Sequence, residues 1–414
     1  DVRFHDGKPM TADDVVFTFR RLLDDPSLEA RRHILAVEDV RRITDSIVVV
    51  RTRAPLADFL NRVRFLHVVR RGSTTEELRT RPNGTGPFRA TAYRGGKEVV
   101  FERNDAYWGP RPPFERAVLR LNRSAPQALA DLEEGASDLV QAGSRDALAA
   151  AGPGVRVRRV PSITVKLLLF DVEREGTPHV EGGRNPFRDR RVREAVHVAL
   201  DRARFDGLLR APATPAVQLV PPFIFGFDPD LPGPVHDLER AKALLAEAGW
   251  PGGFRVTLHA RELLADGAEA VRALLAPAGI RVDVRLLSEK EFFGATSVAR
   301  RDFAMALTRF GCPTGDAANF LDAALHTRET GTGLGRANTG GYSSPEADRL
   351  VDEAARTLDP PRRKAVLQQL MRLAMHDLPW VPLYLEEEVY LSREGIDWEP
   401  RLDNYVLLSE VRLR

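Results

Sequence analysis

The run from Asn185 to Arg202 constrains this chain more than any other stretch, because its apolar residues suit a single secondary structure. Val192, Ala195, Val196, Ala199 and Leu200 fall on one helical stripe, whereas Arg193, Glu194 and His197 fall off it. One face is therefore built for burial, and His197 is expected to be a solvated or capping residue. Ahead of the run, Val165 to Phe170 is β-branched and leucine-rich, and Asn185-Pro186 breaks the chain because proline disfavours α geometry in the residue before it. The chain passes here from strand to loop to helix, and a helix with one apolar face needs a core to cover it.

With 414 residues, two or three domains are expected. Lys plus Arg number 61 against 59 for Asp plus Glu, a net charge of +2, so there is no field of one sign to steer nucleic acid. Cys312 is the single cysteine, which excludes an internal disulfide. No apolar run approaches the ~20 residues of a membrane helix. The chain opens on Val2, Phe4 and an Asp6-Gly7 turn without an initiating methionine, which reads as a fragment whose N-terminus is truncated.

In order, Thr11 caps a helix carrying Asp13 and Asp14 in its first turn and Val15, Phe19, Leu22 and Leu23 on its stripe. Gly84-Thr85-Gly86-Pro87-Phe88 lacks the Lys-Ser or Lys-Thr of a phosphate loop and leads into alternating residues with a Gly95-Gly96 hairpin. Asn104, Tyr107, Trp108 and Gly109 form an N-x-x-Y-W-G string. A strand at Val118 to Leu121 precedes a helix from Ala125 to Glu134, and two strands follow, Val155 to Val160 and Ile163 to Phe170. Beyond the organising run, Asp237 caps a helix that Gly249 ends. Strands at Phe254 to His259, Ile280 to Leu287 and Phe303 to Thr308 then alternate with helices, an α/β pattern. Helices at Ser344 to Thr357 and Pro361 to Met375 lead to Leu378-Pro379-Trp380-Val381-Pro382-Leu383-Tyr384.

These blocks, in this order, resemble the family 5 solute-binding proteins, the peptide, dipeptide and nickel receptors of bacterial ABC importers. The resemblance runs through V-x-F-H-D-G-K-P-M-T-A-D-D, G-T-G-P-F, N-x-x-Y-W-G, N-P-F-x-D-x-R-V-R-E-A, the A-x-x-L-L-x-E-A-G-W element ending at Trp250, and the L-P-W-V-P-L-Y run. It implies an α/β, two-lobed periplasmic-binding-protein-like fold of type II, with the extra small domain of the peptide-binding cluster. The expected division is 1–115 for the extra domain and part of lobe 1, 116–175 for lobe 1, 176–385 for lobe 2, and 386–414 returning to lobe 1. It implies a monomeric receptor that passes a small solute, an oligopeptide foremost, to the transmembrane subunits of an ABC permease. Its place would be the periplasm, or a lipoprotein anchor outside the cytoplasmic membrane. A nickel chelate or an oligosaccharide is the alternative solute.

Ligands of α/β sheets sit beyond the carboxyl ends of strands, which directs attention to Arg309, Phe310, Gly311, Cys312, Pro313, Thr314 and Asp316, with Phe170 and Asp171 at another strand end. By the resemblance, an acid in this loop holds a peptide's α-ammonium and a base its carboxylate, which makes Asp316 and Arg309 the candidates. Asp316 has a second reading, as an acid that only shapes the turn. The nine histidines show no paired ligand spacing, so neither a metal nor a cofactor is expected. The chain also lacks the G-x-S-x-G elbow and the H-E-x-x-H motif, so it is expected not to be an enzyme and to have no catalytic residue.

Overall fold

A computed structural model of the chain describes residues 2–143, 145–149 and 151–414. The chain forms two compact units: Asp1–Val160 with Glu388–Arg414, and Pro161–Glu387.

In the first unit, the helix Ala12–Asp24 starts at a reciprocal capping box between Thr11 and Asp14. It buries Phe19 and Leu22 against Ile34, Val37 and Val40 of the hairpin region that follows. Phe88–Arg94 and Glu98–Arg103 pair across the Gly95-Gly96 turn, and Arg116–Arg120 adds a third strand. The two short glycine-bearing strings prove to be one device: Asn104 Nδ2 donates to the Gly86 carbonyl at 3.2 Å and Trp108 Nε1 to the Thr85 carbonyl at 3.2 Å. The C-terminal residues belong to this unit too, with Val411 packed among Val160, Tyr390, Ile396 and Trp398.

The second unit is built on a sheet in which the strands run Ile280–Leu287, Phe254–Arg261 and Met305–Gly311, then residues 161–170 of the strand Val155–Phe170 and residues 380–387 of the strand Trp380–Arg393. The first three are parallel to one another, and the fourth is antiparallel to the third. Strand alternation sorts the side chains onto two faces. Leu168 and Phe170 join Val192, Ala195, Val196, Ala199, Leu258 and Leu307 in one core, while Val165, Leu167 and Leu169 join Ala306, Phe320 and Leu367 in the other. The organising helix, Arg190–Ala199, therefore buries its stripe as its pattern requires, with Asp189 as its cap. Where the ends of two crossovers meet, Gly253 lies against backbone: a Cβ there would stand 2.0 Å from the Gly279 oxygen, at a φ of +71°.

Three expectations change. The strands expected at Val155 to Val160 and Ile163 to Phe170 form one strand, Val155–Phe170, because exposed Pro161 keeps an extended φ and gives up only a donor. The strand expected to end at Thr308 runs on to Gly311, so Arg309, Phe310 and Gly311 are strand residues paired with Lys166, Val165 and Thr164. His197 is buried rather than solvated. Its Nδ1 meets Arg202 Nη2 at 2.9 Å, and burial with that neighbouring cation holds its pKa well below the usual histidine range. Arg193, also off the stripe, is buried as well: it donates to the carbonyls of Phe187 and Asp377, closing the end of the Pro360–Asp377 helix.

Candidate functional site

Parallel strands align their carboxyl ends, so Arg261, Leu287 and Gly311 finish at the same edge of the second unit's sheet. A ligand of such a sheet sits beyond that edge. Sequence reasoning passed over the residue there with the most open chemistry. Arg261 is only 5 % exposed, and its Nε is buried without a hydrogen-bond partner among the described residues. The nearest acid, Glu289, stands 3.5 Å from Nη1 and is itself well exposed, a weak counter-charge. Phe293 lies across the guanidinium at 5.5 Å from its ring centroid, an attractive cation–π arrangement. A capping box between Ser288 and Glu291 opens the helix Glu289–Ala295, which fixes Phe292 in the core and leaves Phe293 outward.

Burial, together with the charge of Arg309, pushes the pKa of Arg261 down. Register explains why the two arginines sense each other: Leu307 lies beside Ala260, which brings Thr308 level with Arg261 and Arg309 one residue beyond. Arg309 is exposed, and no acid pairs with it among the described residues. Phe310 packs edge-on against Phe320, with Arg336 5.7 Å above its ring. The strand ends thus present two guanidinium groups and aromatic walls. The single alteration that would have exposed Arg261 to sequence reasoning is extending the 254–259 strand by two residues, which puts an arginine at its carboxyl end.

Two residues before Arg261, His259 is fully buried, and neither ring nitrogen has a partner among the described residues. Its ring meets that of His179 edge to face at 4.6 Å, and His179 in turn contacts Asp302 at 2.8 Å. Burial first, then the charges of His179 and Arg285, lower its pKa to about 4.

The remaining expected site residues separate into two groups. Cys312, Thr314 and Asp316 are buried, while Pro313 is partly covered. Burial pushes the Cys312 thiol far up, so it is an inert apolar residue. Gly311 abuts Thr164, where a Cβ would stand 3.1 Å from the hydroxyl. Asp316 is 2 % exposed, and both its oxygens are taken: Arg363 Nη1 donates to Oδ2 at 2.5 Å and Nη2 to Oδ1 at 3.0 Å. The Ala318 amide also donates to Oδ1, at 3.0 Å. Asp316 thus has both carboxylate oxygens engaged within the fold.

Phe170 and Asp171 are not brought to this edge. The 155–170 strand is antiparallel to 305–311 and pairs Phe170 with Met305, so these residues finish at the opposite end of the sheet, about 20 Å away at 3.3 Å per residue. Phe170 is fully buried and stacks on Phe187 at 4.7 Å. The Asp171 carboxylate accepts from the Glu173 and Arg174 amides at 3.2 Å and from the Arg174 guanidinium. Among the described residues, no group of three His, Cys, Asp or Glu side chains could hold a metal ion. Likewise, none of the described helices is long and apolar enough to cross a membrane.

Comparison with solved structures bears on the fold. A dipeptide-binding protein from Pseudoalteromonas sp. SM9913, in complex with Met-Leu, superposes with a TM-score of 0.81 at 22% identity, covering 100% of this chain and 86% of that one. Residues 1–332 match the family described as bacterial extracellular solute-binding proteins, family 5 Middle, and the chain belongs to that family. Among its relatives, a heme-binding protein A of Haemophilus influenzae is 24% identical over 92% of this chain and 74% of its own length. A di/tripeptide-binding protein 2 of Pseudomonas aeruginosa is 26% identical over the same shares.

Proposed function

We propose that this chain is the receptor of a bacterial ABC importer, that it captures a small carboxylate-bearing solute, oligopeptides foremost, and that it hands the solute unchanged to the permease. The observation that carries the reading is Arg261: a buried guanidinium at the carboxyl edge of parallel strands whose Nε lacks an acceptor among the described residues. A buried donor left unpaired costs free energy, and a solute carboxylate supplies the missing acceptor in a charge-assisted bond. Arg309 adds a second positive charge at the rim. The receptor works outside the cytoplasmic membrane, as a monomer, either free in the periplasm or anchored. The first compact unit is assigned to lobe 1 with its extra domain and the second to lobe 2.

Thermal shift against panels of peptides, chelated metals and oligosaccharides tests this, because a ligand that binds only the folded state raises its stability. Peptides should raise the melting temperature of the wild type, the rise should vanish in Arg261→Gln, and mass spectrometry should return the peptides intact. A response confined to sugars, or cleaved peptide, would sink the proposal.

A further inference from the structure

We propose that this receptor selects its solute by an anionic group and makes no demand for a free α-ammonium, because the one acid of its strand-end loop is consumed inside the fold. The inference rests on the receptor reading above and narrows the solute class.

Asp316 is the sole acid between Arg309 and Asp316. An ammonium would need one of its oxygens, yet Arg363 holds both in a forked pair, itself 5 % exposed. That pair is built in from several sides. Arg363 Nε donates to the Ala354 carbonyl at 3.0 Å, and Phe225 lies 5.4 Å from the guanidinium. Phe225 then ties the loop directly, its amide donating to the Gly315 carbonyl at 3.0 Å and its carbonyl accepting from the Ala317 amide at 2.8 Å. Next to it, Gly226 holds a φ of +96° where a Cβ would stand 2.9 Å from Ala317 and 3.0 Å from Leu367. Pulling Asp316 outward would strip a buried arginine of its counter-charge and break these contacts with it.

Three other acids in the same unit are likewise engaged by cations. Glu386 meets Lys166 Nζ at 2.5 Å, Asp171 meets Arg174, and Glu289 is shared with Arg261. Arg261 and Arg309 are open cations at the strand ends, and Glu262, next to Arg261, is an exposed acid with no cation partner among the described residues. Asp316 and Arg363 act as positioning residues for Cys312 to Gly315, and recognition falls to Arg261.

Calorimetric titration of the whole chain with a di-, a tri- and a tetrapeptide, each free, N-acetylated and C-amidated, decides the matter. Free and acetylated forms should bind within threefold of each other, and amidation should weaken binding more than tenfold. A tenfold or larger loss on acetylation overturns the inference while leaving the receptor reading intact. Absence of binding by every peptide overturns the receptor reading and this inference with it. Asp316→Asn should weaken free and acetylated peptides equally, because it acts through the loop; a loss confined to the free form would place the carboxylate on the ammonium. Arg363→Lys, which keeps the charge and loses the fork, should repeat the equal loss and serves if Asp316→Asn does not fold.

Discussion

The stretch from Arg309 to Asp316 holds two opposite solutions to placing charge near a sheet edge. At its start Arg309 is exposed and unpaired among the described residues, beside Arg261 with its open Nε. At its end Asp316 is sealed into a forked pair with Arg363. The first arrangement leaves electrostatic free energy unsatisfied and available to a ligand. The second uses it to hold the backbone. Function and stability are therefore separable within a few residues, and substitutions should divide accordingly.

The largest effect is expected at the sealed end. Arg363→Met removes one partner of a buried pair and should cost about 3–5 kcal/mol of unfolding free energy, read by urea denaturation. The double variant Arg363→Met, Asp316→Leu should recover much of that, since the stranded carboxylate is gone. A small loss in the single variant would break the contrast.

Next comes a pH effect from the neighbourhood of the open end. His259 takes up its proton near pH 4 when folded, against 6.5 for the unperturbed side chain. The unfolded chain therefore binds the proton first on acidification. Stability from this group is fully present above about pH 6.5 and falls as pH drops towards about 4, by on the order of 3 kcal/mol. His259→Phe should flatten that part of the profile of unfolding free energy against pH; an unchanged slope would show that other groups govern it.

At the open end, Arg261→Gln should leave unfolding free energy almost unchanged yet weaken carboxylate binding by about 1.5–3 kcal/mol, measured by calorimetry. The smallest effect belongs to Arg309→Gln, where an exposed charge should alter stability by less than about 0.5 kcal/mol and affinity by only a few fold. A stability loss at Arg309 matching that at Arg363 would erase the distinction between the two ends.

What the sequence by itself determined is local and periodic. The stripe of Val192, Ala195, Val196 and Ala199 is a helix buried on that face, Thr11 and Asp237 cap where their spacing says, and the ordered short motifs carry the family. Such features are legible because a helix repeats every ~3.6 residues and a cap reaches only two or three residues ahead. Only the tertiary structure decided the partners and the ends. Arg363 lies 47 positions beyond Asp316 in the chain, and nothing in the spacing joins them. Strand direction sent Phe170 and Asp171 to the edge opposite Gly311, because an antiparallel neighbour reverses which end is the carboxyl end. Which arginine finds a carboxylate and which is left open depends on burial in three dimensions, where the cost of an unpaired charge is set by surroundings that the linear order does not state.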